Sequence, residues 1–366
     1  MSDGSPGDFV PRVPAWDMRV TFGIGAVACL GVFVAVAAGL SAPQGTSPRA
    51  QTGAADATAR IVASAQAFLV TLDEAGKTKV QFPFDSPQKA RWSNLPTGMF
   101  KREGLRLGDL TPAQRPAAMA LLSTALSQEG YRKVVEIMRG DEVLRGPAGE
   151  PPRGGNVRFG EDEYYLAFLG VPSVSAPWML QFGGHHLAIN LTLAGRQATL
   201  APSHTAAQPA RYAFEGRTVR PLGDENDRAF ALMATLDAAQ RRQAILEYSV
   251  SDLVLGPGRD GRAIQPEGLK ASALSASQQA MLLDLVREWA GIANDALAEP
   301  RMGEIRARLP ETYFAWSGPT TEGSAAYFRI QGPTLVIEYA PQRGVDHIHT
   351  IYRDPTNDYG ARFARE

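Results

Sequence analysis

Gly183-Gly184-His185-His186-Leu187-Ala188-Ile189-Asn190-Leu191-Thr192-Leu193 alternates apolar and polar side chains from Leu187 onward. Successive strand residues point to opposite faces. The spacing therefore predicts a β-strand with His185, Leu187, Ile189, Leu191 and Leu193 toward a core and His186, Ala188, Asn190 and Thr192 on a polar face. Gly183 and Gly184 permit a bulge or turn that re-aims His185. Near the C-terminus, Asp346-His347-Ile348-His349-Thr350-Ile351-Tyr352-Arg353-Asp354 has the same two-residue period. It places His347, His349, Ile351 and Arg353 together, opposite Ile348, Thr350, Tyr352 and Asp354.

Helical signals alternate with these strands. Gly104-Leu105 leads into Leu110-Thr111-Pro112-Ala113-Gln114 and a helix through about Leu126, with Thr111 as N-cap and Pro112 at the first helical position. Gly268-Leu269 leads likewise into Leu274-Ser275-Ala276-Ser277-Gln278 and a helix through about Leu297. Tyr164-Tyr165-Leu166-Ala167-Phe168 then matches Tyr313-Phe314-Ala315-Trp316, each followed by two apolar runs. Between these units Asp224 opens a helix to about Leu236 and Asp237 another to about Tyr248. The expected fold is α+β, helical hairpins packed on antiparallel β-sheet, with an internally duplicated helix-plus-β unit. The histidine pair falls where the second copy, Gly332-Pro333-Thr334-Leu335, has Pro and Thr.

Four of the five histidines lie in the two quoted stretches. Imidazole combines neutral metal ligation with proton transfer near neutral pH. Two histidines one residue apart on a strand face stand about 6.5 to 7 Å apart at the backbone, close enough to chelate one ion. His347 and His349, joined by one or both of His185 and His186, thus form a candidate site for a divalent transition metal: zinc, or copper or iron. Three ligands leave a position open for water, whereas four describe a structural or binding site. Hydrogen bonding within a metal-free polar cleft is the alternative. The fifth histidine, in Ala201-Pro202-Ser203-His204-Thr205, is expected on a surface loop.

Composition bounds the partners. Lys+Arg of 37 against Asp+Glu of 38 gives a net charge of −1, which offers nucleic acid no basic footprint. From Thr21 to Leu40 the chain is uncharged and long enough to span a bilayer, and Arg12 and Arg19 precede it. Residues 1–40 are therefore expected to be a membrane anchor or signal segment, and 41–57 a flexible tether. Residues 58–366 are expected to form one extracytoplasmic domain with halves of about 58–223 and 224–366. The single cysteine, Cys29, lies in the apolar stretch, so the domain beyond it has neither disulfide nor thiol ligand.

Gly184-His185-His186-Leu187 with Asn190, preceded by Pro177-Trp178 and Gln181, and the run from Asp346 through Asp354-Pro355-Thr356-Asn357-Asp358-Tyr359-Gly360 resemble the exported family catalogued as domain of unknown function 3500. The resemblance covers most of the chain after the tether. It implies one continuous domain whose functional positions are His185, His186, His347 and His349 with Arg353, Asp354 and Asp358. The His204 loop departs from the family pattern.

Around the histidines, Asp354 or Asp358 is expected to orient a ligating imidazole, and Arg353 to hold an anionic group of the substrate. The alternative for the stretch from Asp354 to Asp358 is a turn. Asn190, Gln181 and Trp178 are the expected substrate contacts, with aromatic core the alternative for Trp178. Glu161, Asp162 and Glu163 offer a general base or a solvated strand entrance. Two functions follow: an extracytoplasmic metal-dependent hydrolase of a small-molecule or polymer substrate, or a non-enzymatic binder using the same pocket.

Overall fold

Gly104 and Gly268 show how the chain repeats itself. Both sit at positive φ, +103° and +98°, and a Cβ there would stand 2.4 Å from the Leu166 carbonyl oxygen or 2.3 Å from that of Phe314. Only glycine accepts that backbone and that approach. In the computed structural model, which describes residues 48–146 and 156–363, each glycine opens the same succession of elements.

The described chain begins with α1 (Pro48–Leu69), α2 (Glu74–Val80) and β1 (Gln81–Phe82). The first unit is β2 (Leu105–Arg106), α3 (Gln114–Ala125), α4 (Gln128–Arg145), β3 (Tyr165–Leu169), β4 (Trp178–Gly184) and β5 (Leu187–Ala194). A connection holds β6 (Gln197–Thr199), β7 (Ser203–Ala207), β8 (Tyr212–Phe214), β9 (Arg217–Val219), α5 (Gly223–Thr235) and α6 (Ala238–Ala244). The second unit is β10 (Leu269–Lys270), α7 (Ala276–Ala290), α8 (Asp295–Ala307), β11 (Tyr313–Ser317), β12 (Tyr327–Gly332) and β13 (Leu335–Pro341), before β14 (Ile348–Arg353). Pairing is equivalent in both: Leu105 stands opposite Leu166 and Leu269 opposite Phe314. The helices even share a reciprocal pair of bonds at their entrances, although only α7 is capped by it, α3 starting past the expected Pro112. Gln114 N donates to Thr111 Oγ1 (3.2 Å) while Thr111 N donates to Gln114 Oε1 (2.9 Å), and Ser275 and Gln278 do the same at 3.3 and 2.9 Å.

One sheet joins the units in the order β1-β3-β4-β5-β7-β14-β13-β12-β11-β10, with β2 beside β3 and β6 beside β5. All its pairings are antiparallel except β1 with β3. Thus β7 and β14 lie at the seam, with Ile351 opposite His204 and His349 opposite Ala206.

Alternation decides which face each strand gives to the helices. Leu187, Ile189, Leu191 and Leu193 of β5, Leu335, Ile337 and Tyr339 of β13, and Ile348 and Tyr352 of β14 join Leu121, Leu122, Leu282 and Trp289 of the helices in one core. The opposite face is covered by loops. There Trp92, Leu169, Met179, Ala188, Ile351 and Tyr359 form a smaller cluster.

Several expectations change. Residues 48–57, read as tether, belong to α1, with Ala54 and Ala57 buried. The predicted 274–297 helix is two helices, interrupted after Ala290 and restarted under the Asn294 cap. The helix from Asp237 stops at Ala244, because the next segment turns to pair with β11 and Leu246 N donates to the Trp316 carbonyl. The polar face of β5 is not a wet one, since Asn190 and Thr192 are wholly buried under the loops. Residues 1–40, with Cys29, lie outside the described residues. Among the described residues no helix is long and apolar enough to cross a membrane.

Candidate metal centre

His185 and His186 are not strand residues. Gly184 pairs with Leu187, so the two histidines are the turn between β4 and β5. His186 sits at φ +62°, a left-handed backbone that costs an L-residue about 1 to 2 kcal/mol and recurs where function over-determines geometry. The two preceding glycines make the turn possible. A Cβ on Gly183 would meet the Leu187 carbonyl oxygen at 2.4 Å, and one on Gly184 the Tyr164 ring at 2.7 Å.

The turn tips both imidazoles toward the seam, where β14 supplies the others. His347 immediately precedes β14 and is half-buried; His349 lies within it and is buried. His186 Nε2 stands 3.0 Å from His347 Nε2. Ligand-capable atoms of His186, His347 and His349 all fall within 4.8 Å of one another. Asp141, His185 and His186 form a second such group. The four expected histidines therefore converge, but as two overlapping groups.

Carboxylates hold two of the rings. His185 Nδ1 lies 2.7 Å from Asp141 Oδ1, and His349 Nδ1 lies 3.3 Å from Asp252 Oδ1. For His349 this leaves Nε2 as the lone-pair donor, the usual relation between an orienting carboxylate and a metal-binding imidazole. The Tyr164 hydroxyl, 2.9 Å from Asp141 Oδ2 and 2.8 Å from the His185 carbonyl, ties the acid to the turn. Arg102 Nη2 donates to the Gly184 carbonyl at 2.7 Å.

Burial keeps His186 and His347 uncharged. It pushes His186 far below the ordinary histidine range, helped by repulsion from His185, His349 and His347. His347 is lowered to about 4, first by burial and then by His349. Burial raises Asp141, against the pull of His185. Neutral imidazoles are the form a metal ion requires. Two nitrogens on a tetrahedral zinc stand about 3.3 Å apart, a few tenths beyond the His186 to His347 separation. The donor set fits such an ion.

His204 corrects the sequence reading most sharply. It lies in β7, wholly buried, with its ring 5.7 Å from that of His349 and 6.1 Å from Trp92. Neither ring nitrogen has a partner at good hydrogen-bond geometry, the Thr350 backbone being the nearest. Burial and His349 hold its basicity far down, while the Thr350 backbone pulls weakly the other way. It belongs to neither ligand group. The surface-loop expectation failed because a five-residue strand at the seam shows no apolar alternation when both of its faces are covered.

Arg353, Asp354 and Asp358 do not join the cluster. Arg353 donates to the Leu255 and Gly256 carbonyls, to Asp260 (3.0 Å) and to Asp358 (2.7 Å), so its guanidinium pins the 252–260 loop. Asp354 Oδ1 accepts from Thr356 N at 2.9 Å and from its hydroxyl at 2.6 Å, the turn reading, and Oδ2 faces Arg301 on the helical side. Asp358 accepts from Asp354 N and Arg353, with burial raising its carboxyl to about 6. The expected substrate contacts are also internal. Trp178 is core and donates to the Ser173 carbonyl, Gln181 bridges Gln88 and Asn190, and Asn190 donates to the Pro202 carbonyl. Glu163 is buried on Arg106, while Glu161 and Asp162 pair with Arg115.

Sequence reasoning missed Asp141 and Asp252. Asp141 had a signal: Val134, Ile137, Met138 and Asp141 share the buried stripe of α4, and a carboxylate in an apolar stripe needs a partner. Asp252 sits in a loop without pattern.

The motifs that carry the histidines match the family described as a protein of unknown function, DUF3500, over residues 54–361. The chain belongs to this family. The match spans both units and both histidine motifs, so the centre belongs to the family domain itself. No curated protein and no solved structure matches the chain.

Proposed function

We propose that His186, His347 and His349 hold one divalent transition ion, zinc or alternatively copper or iron, with a position left open, and that the centre serves hydrolysis of a polar substrate. The observation that carries this is the convergence of three imidazoles, one of them half-exposed, from the β4 to β5 turn of the first unit and from the β14 segment that follows the second. A bound ion supplies a Lewis acid and a water acidified toward neutrality. Asp252, exposed beside His349, fixes that ring and offers a carboxylate at the rim. Arg353 is spent internally, so an anionic substrate loses its expected anchor.

A second reading, a metal carrier or binder, is favoured by the placement of one open groove away from the histidines. An open groove of about 490 Å³ is lined by Arg196, Arg301, Asp354 and Arg362 and contains no histidine. We further propose export, with Thr21–Leu40 as anchor or cleaved signal, supported by that apolar run and the arginines before it.

Cobalt substitution separates the two readings. An open position makes the visible spectrum of the cobalt-loaded chain respond to added azide and gives zinc-dependent cleavage of activated esters. A spectrum indifferent to azide, with no cleavage, leaves the binder.

A further inference from the structure

Asp141, His185 and His186 meet as a group of ligand-capable atoms separate from the one that His347 and His349 complete, with His186 common to both. His186 turns Nε2 toward His347, so Nδ1 is what it presents to the other group, 4.0 Å from Asp141 Oδ1. That Nδ1 is buried and has no hydrogen-bond partner. Buried polar atoms are rarely left so, and each exception asks for a cause. Beside it lies a carboxylate only 1% exposed. Its partners are His185 Nδ1 at 2.7 Å and the Tyr164 hydroxyl at 2.9 Å; the Arg102 guanidinium attracts it from beyond ion-pair distance, and among the described residues no lysine or arginine is ion-paired with it. Buried carboxylates are ordinarily paired with a cation or coordinate a metal.

We infer that the protein binds a second divalent transition ion, held by Asp141, His185 and the Nδ1 of His186, so that the His186 imidazole bridges two ions. The inference rests on the His186, His347 and His349 site described above and extends it. A neutral imidazole carries one proton on its two nitrogens; when both coordinate, that proton leaves to solvent. The proton on His185 Nδ1 that Asp141 Oδ1 accepts moves to His185 Nε2, since the ion takes its place. The pair then opens from 2.7 Å to about 3.3 Å, the spacing of two donors on one tetrahedral ion. The left-handed backbone of His186 gains its reason, because the turn must aim one ring at ligands from α4 on one side and β14 on the other. A ring bridge also separates the ions farther than the 3.5 to 4 Å of pairs that share a water. The second ion therefore acts through the ring, converting His186 into an anionic donor, while the half-exposed His347 side stays accessible.

The test loads the purified full chain with zinc and then with copper. The inference expects two ions per chain, and one in both Asp141→Asn and His185→Gln. In the copper-loaded parent, coupling across the ring leaves the electron paramagnetic resonance intensity well below that of two isolated ions, and Asp141→Asn shows one isolated ion at full intensity. One ion in the parent, unchanged in Asp141→Asn, overturns the second site and leaves the first standing. No ion overturns both, and two ions with uncoupled copper overturn the bridge. If either variant fails to fold by circular dichroism, the parent's stoichiometry and copper signal decide alone.

Discussion

His186 Nε2 lies 3.0 Å from His347 Nε2 although 161 residues separate them. That contact exists because β7 and β14 pair at the seam, bringing the β4 to β5 turn of one unit over the start of the last strand. Neither unit alone holds three of the clustered imidazoles.

Asp252 tests the orientation of the centre without touching its ligands. Asp252→Asn removes the carboxylate 3.3 Å from His349 Nδ1 at an exposed position. Loss of such an orienting partner is expected to weaken zinc binding about 10- to 100-fold while leaving thermal stability of the metal-free protein unchanged. Isothermal titration with zinc beside a melting curve measures both. Undiminished affinity would separate Asp252 from the site.

His204 is buried with no well-formed hydrogen bond at either nitrogen and lies outside both ligand groups. A buried group left unsatisfied costs about 1 to 3 kcal/mol, so His204→Leu is expected to stabilise the fold by about 1 to 2 kcal/mol in urea denaturation with metal content unchanged. A variant that loses metal instead places His204 in the coordination set.

The same variant isolates a pH dependence. His186 and His204 are held uncharged far below the unfolded value of 6.5, and His347 down to about 4. Above pH 6.5 neither folded nor unfolded chain protonates them, so they do not affect stability. As pH falls below 6.5 the unfolded chain binds protons the fold refuses, and stability is lost. Carboxylates such as Asp358, raised to about 6, pull the other way, so the comparison must be a difference. The advantage of His204→Leu over the parent is expected to grow by up to about 1.4 kcal/mol per pH unit from pH 6.5 downward in the metal-free protein. A constant advantage between pH 7 and pH 5 contradicts the assignment.

The duplication has its own test. Gly104→Ala and Gly268→Ala each force a Cβ to within 2.4 Å of a carbonyl oxygen at positive φ. Both are expected to lose more than about 1 kcal/mol of stability, by the same mechanism in each unit. Loss at one and tolerance at the other would show that the glycines are not equivalent.

How far the sequence reaches is clearest at the two strands. The alternation in Leu187–Leu193 and Ile348–Arg353 was legible because one face of each meets helices and a period of two records that burial. The reciprocal bonds of Thr111 with Gln114 and of Ser275 with Gln278 are local and so legible, although only Ser275 is the cap of its helix; α3 begins at Gln114, past the expected Pro112. What failed was long-range. Nothing local tells that Gly184-His185-His186 folds into a turn rather than extending β5, since glycine permits both. Nor does any neighbour of Arg353 reveal that the 252–260 loop folds back to take its donors. The same distance hid the ligand geometry: Asp141 and Asp252 reach the histidines from a helix and a loop that share no sequence neighbourhood with them.

Metal content of the purified full chain, measured beside a His347→Ala/His349→Ala double variant of unchanged circular dichroism, bears most directly on the central claim. The account predicts bound transition metal in the parent that withstands gel filtration, and at least one equivalent less in the double variant. A parent that holds no zinc, copper or iron after loading, or a double variant that retains all of it, contradicts a centre built on His186, His347 and His349.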